Sequence, residues 1–130
     1  MPFPVSDISA SALNAFSVGL SVTAHNIANV NTNGFNPSHV VYETGPGDQG
    51  VRVSDVTKDT LAAPRPPMEL VVQHPGGFSE NIQGTVIDPS NTNLAREMVD
   101  LITTQRFFEG NAAAFHVGNE MTGALLDLKV

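Results

Sequence analysis

Gly45-x-Gly47-x-x-Gly50 has the spacing of a loop that cradles a dinucleotide pyrophosphate. That chemistry needs a helix immediately afterwards, whose first free amides hold the phosphate oxygens. Here Val51-Arg52-Val53-Ser54-Asp55-Val56 follows with strand alternation, and Pro46 takes an amide out of the loop. The segment reads as a turn. The 4 histidines are His25, His39, His74 and His116, and none stands four residues from another, so the HExxH arrangement is missing. His25 and His116 fall in two helical patterns, where polar surface or interface is the plain reading. A GxSxG nucleophile elbow is absent. Asp48, Asp55, Glu69 and Glu97 show no acid/base spacing, so solvated charge is their default. The sequence therefore offers no catalytic, cofactor-binding or metal-ligating residue.

The totals narrow the class. The chain has 130 residues, enough for one modest domain, with 6 Lys and Arg against 13 Asp and Glu and a formal charge of -7. That balance excludes a basic nucleic-acid footprint and a polybasic membrane-surface segment. With 0 cysteines there is no disulfide framework and no thiolate metal site. No window approaches the roughly 18 apolar residues of a membrane span. Met1-Pro2-Phe3-Pro4-Val5 lacks the basic and apolar regions of a secretory signal.

The elements that remain are two long helices around an extended middle. From Ile8 to about Val30 the pattern is helical, about 35 Å long, with Ser6 and Asp7 as expected N-caps. Leu13, Leu20 and Ile27 share one heptad position, and Phe16, Thr23 and Val30 share the other. Small residues recur as well: Ser9, Ala10, Ala12, Ala15, Gly19, Ala24 and Ala28 permit close helix approach. Asn31, Asn33 and Gly34 stop the helix, since Asn and Gly tolerate the left-handed conformation. Short strands are expected at 39–43, 51–56, 69–73 and 82–87, with polyproline geometry at 64–67. After Asn91 or Asn93 as cap, Leu94 to about Leu128 forms a second helix. Its rows are Leu94, Leu101, Phe108, Phe115 and Thr122, and Met98, Gln105, Ala112, Asn119 and Leu126. Polar residues in the second row fix register at some cost in dryness. Gly110, Gly118 and Gly123 are potential bends.

The expected fold is mainly α: long N- and C-terminal helices pairing as a coiled-coil-like bundle, with a small β-rich middle segment. The expected divisions are 1–36, 37–90 and 91–130. Two helices and a thin insert bury little for an isolated chain of this size. An antiparallel pair packing its own core competes with a subunit that needs neighbours, and the thin core favours the latter.

Ser11-Ala12-Leu13-Asn14-Ala15, followed by Asn26-Ile27-Ala28-Asn29-Val30-Asn31-Thr32-Asn33-Gly34-Phe35, resembles the N-terminal signature of the bacterial flagellar axial proteins, the rod and hook components. Asn91-Thr92-Asn93-Leu94-Ala95-Arg96-Glu97-Met98-Val99-Asp100-Leu101-Ile102 resembles their C-terminal signature, and so does 104–112. The short length and Gly50-Val51-x-Val53-x-x-Val56-x-x-Asp59 look most like a proximal rod subunit of the basal body.

The resemblance implies a structural, non-enzymatic subunit without cofactors that polymerises through its terminal helices, transmits torque and surrounds the export channel. It implies as partners further copies, other rod and hook subunits and the flagellar export apparatus, in a helical homo- or hetero-polymer. No nucleic acid or membrane span is expected. The implied location is the periplasmic rod, reached through type III export without a cleaved signal. Expected assembly residues are Leu13, Phe16, Leu20, Ile27, Leu94, Met98, Leu101, Phe108 and Phe115. Asn26, Asn29, Asn31, Thr32, Gly34 and Phe35 are expected to shape the exit from the first helix. The alternatives are a distal rod or hook-type component, or a non-polymerising binding or chaperone-like module with axial-type helices.

Overall fold

A computed structural model of the chain describes residues 5–60 and 89–128. Helix α1 runs Val5–Ala28, strand β1 Ser38–Thr44, strand β2 Val51–Lys58 and helix α2 Leu94–Asp127. The expected strands at 69–73 and 82–87 and the polyproline run at 64–67 lie outside the described residues. The mainly α fold expected from the sequence, two long helices around a small β segment, is the one observed.

The ends of the helices follow local chemistry. Ser6 and Asp7 lie inside the first turn of α1 rather than before it, where the Asp7 carboxylate suits the positive end of the helix dipole. At the other end α1 stops at Ala28, two residues before the expected limit. Asn93 caps α2: its Oδ1 accepts a hydrogen bond from the Arg96 amide at 3.2 Å. Gly110, Gly118 and Gly123 are all accommodated within one continuous helix.

The helices are antiparallel. A Cβ added to Gly118 would touch Val5, Phe16 stacks on Phe107, a Cβ on Gly19 would touch Thr104, and Asn26 bonds to Glu97. Each advance along α1 is matched by an equal retreat along α2, so a single register holds through the pair. Ser9, Ala12, Phe16, Gly19, Thr23 and Asn26 form the seam of α1, and all are buried except the half-buried Phe16. Glu97, Leu101, Thr104, Phe108, Asn111, Phe115 and Gly118 face them at the same three-and-four spacing, buried at both ends and half-buried between.

In each helix one expected row lies in this seam and the other stands one residue away from it. Ala12, Gly19 and Asn26 take the place of Leu13, Leu20 and Ile27. Glu97, Thr104, Asn111 and Gly118 take that of Met98, Gln105, Ala112 and Asn119. On α1 the reason is distance: Ala12 and Gly19 let the two backbones approach, so Leu13 and Leu20 flank the seam, whereas on α2 Leu101, Phe108 and Phe115 remain in it.

β1 and β2 form an antiparallel two-stranded hairpin. Its turn contains Pro46–Asp48, so a strand follows the Gly45–Gly50 loop instead of the helix a nucleotide site requires. The pairing passes from Val41↔Asp55 to Tyr42↔Val53, leaving Ser54 as a bulge. The hairpin lies along α1. Ser11 Oγ accepts the Val51 amide at 3.2 Å while donating to the Ile8 carbonyl at 2.7 Å. Phe16 meets Tyr42 edge-on with ring centroids 5.5 Å apart.

Candidate functional site

The best-defined cluster of side chains is the joint where α1, β1 and α2 meet. Asn26 is 1% exposed and Glu97 2%, and they are the largest fully buried side chains among the described residues. The Asn26 amide treats Ser38 as a strand partner would. Its Nδ2 donates to the Ser38 carbonyl at 2.7 Å and its Oδ1 accepts the Ser38 amide at 2.9 Å. The same Nδ2 donates to Glu97 Oε2 at 3.0 Å. One side chain thus ties the end of α1 to the starts of β1 and α2, and it leaves its buried polar atoms partnered, as a dry site requires.

At the exit from α1, Asn29, Thr32 and Phe35 make local contacts. Asn29 Nδ2 donates to the His25 carbonyl at 2.9 Å, closing the last turn. Thr32 Oγ1 donates to Asn29 Oδ1 at 3.1 Å, and the Phe35 amide bonds to the Thr32 carbonyl at 3.2 Å. Gly34 has φ +68°, the left-handed conformation. Phe35 folds back edge-on to the His25 ring at 5.5 Å. Its carbonyl then accepts the Asn91 amide at 3.0 Å, which brings the two halves of the chain together just before α2. Asn31 is exposed, and no side-chain contact gives it a role in this corner. Pro37, absent from the expected set, is buried here, and its carbonyl receives the Asp59 amide at 2.8 Å.

No chemistry is assembled at this corner. Among the described residues no three His, Asp or Glu side chains lie close enough to hold a metal ion. The antiparallel register carries His25 and His116 to opposite ends of the pair, and His116 faces Glu120 at 3.5 Å along its own helix. A cleft of about 270 Å³ opens between hairpin and helices, edged by His39, Tyr42, Arg96, Asp100 and Thr103. Burial raises the Tyr42 phenol above the usual tyrosine value.

The outer surface is where the molecule departs from an ordinary small domain. Among the described residues the buried apolar core consists of Ala12 and Ala15. Large apolar side chains stand outside it, chiefly on α2: Met98 is 53% exposed, Ile102 58%, Val117 51% and Met121 58%. Of the expected assembly residues, Leu94 and Met98 are exposed. Leu13, Phe16, Leu20, Ile27, Leu101, Phe108 and Phe115 are half-buried against their own chain. Ile102, Val117 and Met121 were not singled out in the sequence, because they fall outside the heptad rows. Their signal was the even spread of apolar residues around α2, which leaves some of them on the outside whichever face pairs with α1. No helix among the described residues is long and apolar enough to cross a membrane.

Comparison with known proteins agrees with both ends of this architecture. Residues 7–36 match the family model of the flagella basal body rod proteins. Residues 83–128 match that of the flagellar basal body rod FlgEFG protein C-terminal region. The flagellar basal-body rod protein FlgC of Borreliella burgdorferi is 32% identical over 75 residues, covering 56% of this chain and 46% of that relative. The match therefore spans about half the length of the relative. The helix pair is thus made of an N-terminal and a C-terminal rod segment, joined at Asn26 and Glu97, and the chain belongs to the flagellar basal-body rod family.

Proposed function

We propose that this protein is a structural subunit of the flagellar basal-body rod, most like a proximal one, that polymerises through its terminal helices. The observation that carries the reading is the inverted distribution of apolar side chains: alanines inside, Met98, Ile102, Val117 and Met121 outside. Neighbouring subunits cover that surface. Each large side chain they bury contributes about 1.5–3 kcal/mol, so many copies convert individually thin subunits into a stiff tube. The tube transmits torque and surrounds the export channel. Its subunits work without catalysis or cofactor, because a shaft requires rigidity rather than reactivity. Leu94 and Met98 are the expected assembly residues already free for a neighbour, and the half-buried ones divide their surface between the helix pair and the next subunit.

The partners on this reading are further copies, other rod and hook subunits, and the export apparatus that delivers the chain to the periplasm without a cleaved signal. Electron microscopy of basal bodies from a deletion strain tests it. The expected result is a rod stopped at its base and a non-motile cell. Complete rods in the deletion strain would refute the assignment.

A further inference from the structure

We propose that the buried hydrogen bond between Asn26 and Glu97 sets the register in which α1 and α2 pair. The apolar pattern alone does not favour the observed one. Sliding α2 by one heptad would place Leu125 opposite Val5 and Met121 opposite Ser9, drawing onto α1 two side chains that are 68% and 58% exposed. Two positions of the seam would gain no bulk, while Gly19 would exchange Thr104 for Asn111. Ala12 would face Gly118 instead of Asn111, and Phe16 would face Ala114, so neither position meets a bulky clash.

The slide moves Glu97 past the end of α1 and breaks its bond to Asn26. A buried hydrogen bond is costly to lose because it leaves its partners unsatisfied, and one buried polar residue can fix the register of a helix pair. Asn26 is itself immobilised by its two bonds to the Ser38 backbone. It is therefore a fixed mark on the α1–hairpin unit against which Glu97 locates α2. The Asn91–Phe35 backbone bond supports the same register but leaves the side-chain contribution separable. A consequence of this register is that α2 extends beyond α1 with its apolar end uncovered. This consequence bears on assembly; the register itself does not rest on the assembly reading.

The chain has 0 cysteines, so introduced ones report cleanly. The full chain carrying A12C, N111C and G118C together is equilibrated dilute in a glutathione buffer. The 12–111 and 12–118 disulfides then compete within one molecule and are quantified by peptide mass mapping. The 12–111 bridge should dominate in this background. Adding Glu97→Leu should raise the ratio of 12–118 to 12–111 about tenfold or more, whereas Glu97→Gln, which keeps an acceptor, should hold it near its starting value. Asn26→Asp retains the acceptor for Ser38 but sets a like charge against Glu97, and should shift the ratio the same way by an independent route. An unchanged ratio in both Glu97→Leu and Asn26→Asp, or dominance of 12–118 in the starting background, would overturn the proposal.

Discussion

Gly19 of α1 stands close to both the hairpin and α2. A Cβ there would overlap the Tyr42 hydroxyl and lie 3.3 Å from the Thr104 methyl. Two effects oppose each other on substitution: alanine favours helix over glycine by about 1 kcal/mol, whereas overfilling a packed site costs about 1–3 kcal/mol. Gly110 has nothing within 4 Å of its added Cβ, so only the first effect operates there. Chemical denaturation should therefore find Gly110→Ala more stable by about 1 kcal/mol and Gly19→Ala less stable than the parent. Adding Tyr42→Phe to Gly19→Ala should restore part of the loss, since the hydroxyl is the atom in the way. The sequence marked Gly19 as one of several small residues suited to close approach; it gave no sign that the approach comes from a tyrosine of the hairpin, because that contact joins segments distant in sequence.

Tyr42 also makes stability depend on pH at the alkaline end. Tyr42 is 37% exposed, and its partial burial disfavours the phenolate, raising the pKa above the ordinary tyrosine value of 10.0. The folded state then retains a proton that the unfolded state releases, so the contribution is complete below pH 10.0 and is lost as pH rises through the folded value. Absorbance titration of the folded protein should place phenolate formation above that of free tyrosine. Stability of Tyr42→Phe should fall less steeply than that of the parent in the same range. Equal slopes would show that the phenol is not shielded.

At the scale of elements, the joint was legible where local chemistry decides and illegible where distant segments meet. Gly34 is a local case. Asn31, Asn33 and Gly34 marked a helix exit, and Gly34 adopts φ +68° with open space around its missing Cβ. Gly34→Val would clash with nothing, so its effect isolates the backbone: the left-handed conformation costs a side chain about 1–2 kcal/mol, more where the chain is β-branched. A denaturation midpoint unchanged by Gly34→Val would mean that the corner relaxes to another path. The cap of α2 is equally local, and Asn93→Ala should cost about 1 kcal/mol. The seam shows the opposite case. Counting large apolar residues points to Leu13, Leu20 and Ile27, but helices brought together by alanine, glycine and serine pair through those small residues and leave the leucines at the flank. Glu97 illustrates the same limit. The sequence left it a solvated charge by default, whereas it is 2% exposed and bonded to an asparagine 71 positions away.

The described residues place alanines inside and large apolar side chains outside, and this separates two kinds of substitution. Leu101 is half-buried against α1, so Leu101→Asp strikes both the helix pair and any neighbour. Ile27→Asp carries the same ambiguity. Met98 and Ile102 are 53% and 58% exposed, and an aspartate at either position is solvated in the free subunit. Exposed substitutions of this kind ordinarily change stability by within about 0.5 kcal/mol. In the polymer the same aspartate would have to leave water against an apolar neighbour, an expensive step for an unpaired charge. Met98→Asp and Ile102→Asp should therefore leave expression and the denaturation midpoint of the purified chain almost unchanged while abolishing rod assembly and swimming. Leu101→Asp should reduce both. Swimming at the normal rate with both Met98→Asp and Ile102→Asp would mean that the exposed face of α2 is not where subunits meet. Loss of swimming together with loss of subunit stability would mean that these side chains support the monomer instead. Only the combination of an intact subunit and a missing rod fits a chain whose apolar surface is completed by its neighbours.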